Sequence, residues 1–256
     1  MKKWIETLKK VGSAAADNKN FLFGAVGVVA LVLLLAFAAE WIIRKCHAKN
    51  GAPVAAHDKE SLKLHRMTLI AMLTAISIVL MLFEFPLPFI PAFYKLDFSE
   101  LPIIIGAFTL GPVAGVLIEF LKILLNLLLT GTSSAFVGEF ANFIMGCCFI
   151  VPASVFYYAK KTKRTARIGL AAGCLAVTVC GCLLNAYLLL PTYSKLFHMD
   201  MNVLIGMGTE KNGMIDTLST FILFGVAPFN LIKYGAVSII TLVIYKRISR
   251  LLKKQV

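Results

Sequence analysis

The side chains with chemistry to offer sit inside long apolar stretches. They are Glu84, Glu119 with Lys122 and Asn126, Glu139 with Asn142, Asn185, and Asn230 with Lys233. An ionisable group at bilayer depth is costly unless it is paired or faces a cavity, so each one is a candidate for function. Glu119 and Lys122 are three residues apart and can pair along one helix face, which is a structural role. Glu139 lies near a loop and also reads as interfacial. Asn230 and Lys233 share a face and follow Pro228, which lacks an N–H and frees a carbonyl one turn back. No acid stands three or four residues from Lys233, so either an acid on another helix neutralises it or its ammonium meets a polar ligand. Asn185 adds an amide whose donor and acceptor lie side by side, suited to the edge of a cyclic imide or amide.

Several reaction classes find no residues here. All four histidines fall outside the apolar runs, and no His/Glu, His/Asp or Ser/His set stands within them. A metal-dependent or acyl-transfer enzyme therefore lacks its groups, so no enzyme and no metal are expected. No Gly-x4-Gly-Lys-Ser/Thr loop is present, and any ATP coupling must come from a partner. An ion-gradient transporter using Glu119 and Glu139 as proton carriers stays open at this level.

The elements that must position these groups are membrane spans. Of the 256 residues, 59% are hydrophobic and 15% charged, and the mean hydropathy is +0.84. That composition predicts an all-α polytopic membrane protein. The net charge of +13 does not indicate nucleic acid, because the basic residues cluster beside apolar runs. The six cysteines (Cys46, Cys147, Cys148, Cys174, Cys180, Cys182) show no ligand spacing and read as small packing residues.

Residues 1–66 form one region: a basic start with the spacing of a short interfacial helix over 1–20, a span from Phe21 to Ile43, and a polar linker over 44–66. Residues 67–256 form a second, with apolar runs at 67–90, 101–110, 112–130, 135–159, 167–190 and 216–245. The run 101–110 is too short to cross by itself and ends at the breaker Gly111-Pro112. Six Lys/Arg in 44–66, five in 160–167 and five in 246–254 place these segments in the cytoplasm. An odd number of spans then puts Lys2 to Lys19 outside despite five lysines, in conflict with the same rule.

The stretch Pro86 to Pro102 contains prolines that forbid a continuous helix, and it keeps Phe and Tyr beside Lys95, Asp97 and Glu100. It reads either as an outer connector or as the lid of a site, since irregular backbone near a membrane needs protein or water to satisfy it. Asp97 and Glu100 read as helix-start residues, with Ser99 as a possible cap. The segment 191–215, with Tyr193, His198, Asp200 and Glu210, reads as a long outer loop that could alter access to a site or the choice of ligand.

Five strings together resemble one family. They are Phe85-Pro86-Leu87-Pro88-Phe89, Leu96-Asp97-Phe98-Ser99-Glu100-Leu101-Pro102, Gly111-Pro112-Val113-Ala114-Gly115-Val116 followed by Lys122 and Asn126, Gly138-Glu139-Phe140-Ala141-Asn142-Phe143, and Pro228-Phe229-Asn230-Leu231-Ile232-Lys233-Tyr234. The pattern resembles the riboflavin-specific substrate-capture subunit (S component) of energy-coupling-factor transporters over roughly residues 67 to 250. The resemblance implies a six-helix core, here with one additional N-terminal transmembrane helix, in the cell membrane. It implies riboflavin, or another flat heterocycle, as the ligand at the extracytoplasmic side. Asn185, Asn230 and Lys233 would contact it, and Leu96 and Asp97 of the lid would close over it. It further implies a transmembrane scaffold subunit and two cytoplasmic ATPases as partners, with Ala71 and Ala75 as the small-residue face docking on the scaffold. The first 66 residues depart from the family pattern.

Overall fold

In a computed structural model the described residues are 19–48, 56–132 and 134–252. The interfacial helix expected at the N-terminus falls almost wholly outside them, as do linker residues 49–55. The chain runs α1 (Lys19–Ala48), α2 (Ala56–Leu82), β1 (Phe85–Pro86), β2 (Lys95–Leu96), α3 (Glu100–Leu110), α4 (Pro112–Thr130), α5 (Val137–Ala159) and α6 (Lys163–Leu184). A π-turn over Asn185–Leu189 leads to α7 (Leu190–Leu196) and α8 (Met201–Thr209). After α9 (Leu218–Phe221), a second π-turn over Ile222–Val226 continues into α10 (Ala227–Leu252).

Among the described residues, six helical segments are long and apolar enough to cross a membrane, and the protein is a multi-pass membrane protein. The architecture is the expected six-helix core plus an additional N-terminal helix. Its one short member is α3, whose 11 residues rise only roughly 16 Å, about half the hydrocarbon thickness. Pro112 then opens α4 at a position where its missing N–H has no partner to lose.

Three boundaries differ from expectation. The first core span does not reach residue 90: α2 stops at Leu82 and the following prolines lie in an antiparallel hairpin that pairs Phe85 with Leu96. The polar linker is shortened from both sides, since α1 reaches Ala48 and α2 begins at Ala56. The outer loop 191–215 is largely helical, because α6 continues through a π-turn into α7, and the Asp200 side chain caps α8.

The main core joins α3, α4, α5, α6 and α10 through Ile103, Ile104, Ile118, Phe149, Leu170 and Tyr234. On the flank of α4 and α5 the additional helix packs Ala36 against Val116, Phe143 and Cys147. Glu40 on α1 is buried at 4% exposure, and its Oε2 accepts the Val113 N–H at 3.1 Å. It stands in for a cap that Gly111, at φ 106°, cannot supply. Arg66 at the start of the next span lies 3.7 Å from the same carboxylate. These contacts bring the C-terminal end of α1 to the Gly111 turn, the end of the bundle carrying the basic 44–66 segment. Within the bundle α1 therefore runs towards the Gly111 end.

Candidate functional site

Both asparagines proposed from sequence sit at π-turns. A proline two residues into a helix removes an N–H from the ladder, and the backbone accommodates it by widening one turn, a device frequent at binding sites. Pro191 follows the turn that Asn185 opens, and Pro228 follows the turn that precedes Asn230. The Asn185 Nδ2 donates to the Gly181 carbonyl at 2.7 Å, and the Asn230 Nδ2 donates to the Val226 carbonyl at 3.0 Å. Each amide is thus locked to its own helix by one donor. Gly181 makes the room this needs: a Cβ there would lie 2.7 Å from the Asn230 Nδ2.

Asn185 and Leu189 of the first π-turn, and Phe229 and Asn230 just past the second, line a cavity of about 710 Å³ at the end of the bundle opposite the basic segments. Its wall includes Asp97, Asn126, Glu139, Asn185, Asn230 and Lys233. Leu96 is not among the lining residues. It is 3% exposed and packs with Ile90 and Phe229 beneath the hairpin, because strand alternation turns it away from its neighbours Lys95 and Asp97.

The ammonium of Lys233 meets an acid on another element: its Nζ lies 2.7 Å from the Asp97 Oδ2, with both side chains 6% exposed. Burial by itself would raise the Asp97 carboxyl. The opposing charges of Lys233 and Lys122, with hydrogen bonds from Lys233 and Ser99, hold it at about 2. The reading of Asp97 and Glu100 as helix-start residues is therefore incomplete. Glu100 occupies the first turn of α3 but is fully buried, with its Oε1 2.9 Å from the Lys122 Nζ. The Ser99 side chain makes no capping bond to α3. Glu119 and Lys122 do pair along their helix, at 2.9 Å, with Glu100 as a third member.

Glu84 lies past the end of α2, not within a span, and pairs with Lys95 across the hairpin. Glu139 lines the cavity, and its Oε2 accepts from the Ser134 hydroxyl at 2.9 Å. Tyr94 is a lining residue that sequence reasoning missed: its hydroxyl donates to the Asn185 Oδ1. Its ring lies 5.6 Å from Phe229 and 4.8 Å from Phe93, and Phe93 in turn meets Tyr193 edge-on at 6.4 Å. The available signal was its place among the prolines of the lid. No group of three or more His, Cys, Asp or Glu suited to a metal occurs among the described residues.

After these internal bonds, the wall still has groups to offer. Asn230 Oδ1 is buried with no hydrogen-bond partner among the described residues. Each asparagine keeps a second N–H, and Lys233 keeps donors beyond the one given to Asp97. A membrane bundle with an outward cavity that presents oriented amides, an ammonium and aromatic rings defines a protein that binds a small polar-edged molecule. Residues 65–245 match the family described as "ECF transporter, substrate-specific component", and the chain belongs to that family.

Its relatives include the riboflavin transporter RibU of Staphylococcus aureus, 34% identical over 189 residues, covering 74% of this chain and 93% of that protein. The riboflavin transporter FmnP of Bacillus subtilis is 30% identical over 196 residues, covering 76% and 97%. A solved structure described as the S component of a bacterial ECF transporter superposes with a TM-score of 0.59 at 34% identity, over 75% of this chain and 99% of that one.

Proposed function

We propose that this chain captures riboflavin at the outer face of the membrane and delivers it inward without chemistry of its own. The observation that carries the reading is the unpartnered Asn230 Oδ1 in the cavity wall, beside the free donors of Asn185 and Lys233. The pyrimidine edge of an isoalloxazine ring presents acceptor, donor and acceptor in sequence, which these groups complement. Tyr94, Phe93 and Phe229 offer aromatic surface to the flat ring. Two relatives named as riboflavin transporters agree with the same ligand.

Delivery requires energy that this chain has no motif to harvest, so the working assembly includes a transmembrane scaffold and two ATPase subunits. Ala71 and Ala75 lie exposed on α2 beside the exposed side chains of Met67, Met72, Ile76 and Val79. Small residues four apart let a partner helix approach closely, which makes this face the docking surface for the scaffold. Titrating purified protein against riboflavin tests the ligand. Quenching of flavin fluorescence at micromolar concentration is expected, and none at all overturns the reading.

A further inference from the structure

The lid over the cavity has two unlike ends. Its hairpin, around residues 84–95, is largely exposed, and a half-exposed Glu84–Lys95 pair ties it together. Its inner end, 97–100, is anchored by buried bonds from three directions. Ser99 is the junction. Its N–H donates to the Asp97 Oδ1 at 2.8 Å, its carbonyl accepts from the Ser77 hydroxyl of α2 at 2.6 Å, and its own hydroxyl lies 3.3 Å from the Lys122 Nζ.

Lys122 projects from α4 and is fully buried, 2.9 Å from both the Glu100 Oε1 and the Glu119 Oε2. It does not line the cavity. Yet a chain of short polar contacts runs from it through Ser99 to Asp97 and on to Lys233, which does. A fully buried lysine is expensive unless it is well paired, and pairing with two acids and a serine leaves it one geometry. We infer that Lys122 is a positioning residue for the binding site: it clamps lid residues 97–100 to α4 and, through Ser99, holds Asp97 in the orientation that aims the Lys233 ammonium.

This inference rests on riboflavin as the ligand. The test is a double-mutant cycle on the full-length protein, read by quenching of riboflavin fluorescence. Removing Lys122 alone would strand two buried acids, so the informative variant is neutral throughout: Lys122→Met with Glu100→Gln and Glu119→Gln. It is expected to weaken riboflavin binding about tenfold, and Ser99→Ala, which keeps every charge, to weaken it about threefold. Repeated in an Asp97→Asn background, both changes are expected to lose most of their effect, because the link they act through is already cut.

Wild-type affinity in both variants overturns the inference, and so does the same loss with and without Asp97, which would mark a general packing defect. If the neutral variant does not fold, the Ser99→Ala cycle decides alone. A wild-type protein that ignores riboflavin would instead overturn the proposed ligand.

Discussion

Lys233 and Asp97 are 136 residues apart in the chain and 2.7 Å apart in space. That ion pair ties the lid to the last helix at the wall of the cavity, and it settles which of two partners the Lys233 ammonium has within the protein. Three of its features are open to test: the ammonium itself, the carboxylate, and the amide next to them.

Lys233→Ala leaves Asp97 buried with its main charge partner gone, and Asn230→Ala removes the free acceptor. Each is expected to weaken riboflavin binding by about 1 to 3 kcal/mol in fluorescence titrations. The double change Lys233→Met with Asp97→Asn should harm folding less than Lys233→Ala, since no charge is left unpaired. A double variant that melts at a lower temperature than the single one contradicts the pairing.

The pair also sets a pH dependence. The Asp97 carboxyl is lowered from 3.8 to about 2, so the native state holds its proton more weakly than the unfolded chain does. Its contribution, ~2 kcal/mol, is fully present above pH 3.8 and is lost as the pH falls towards 2. Melting temperature should be insensitive to this group at neutral pH and decline in acid, with a shallower decline in Asp97→Asn. Equal acid sensitivity in the two proteins would show that other groups carry it.

Gly181→Ala places a methyl group 2.7 Å from the Asn230 Nδ2 and should push that amide out of line. The expected outcome is weaker riboflavin binding with little change in thermal stability. Unchanged affinity would mean that the amide position does not matter to the ligand.

The additional helix gives a contrasting prediction. Glu40→Ala removes the acceptor for the Val113 N–H and the partner of Arg66, and should lower stability by about 1 to 2 kcal/mol. Riboflavin affinity should not change, because Glu40 lies at the end of the bundle away from the cavity. A large loss of affinity would show that α1 acts on the site.

Ala71→Trp should leave riboflavin binding intact and block uptake into cells that supply the partner subunits, since the exposed face of α2 would no longer admit a close helix. Normal uptake in this variant would move the docking surface elsewhere.

The sequence by itself marked the apolar runs that become the spans and the short second core helix, because the bilayer allows only long apolar helices. Its Lys/Arg clusters left the direction of the first span in conflict, and its prolines did not show that the first core span stops at Leu82. A shared helix face and the preceding Pro228 also pointed to Asn230 and Lys233, and Asn185 stood out as an amide within an apolar run. What each of them faces was decided only by the tertiary structure. Asp97 looked like a helix-start residue until α10 brought Lys233 to it, and Lys122 looked satisfied by Glu119 until the start of α3 added Glu100 and Ser99. Glu40 passed unnoticed in the first span because its partners lie 26 and 73 residues further along the chain. Local sequence specifies which groups are costly to bury. Only the packing of distant helices decides which partners make that burial tolerable.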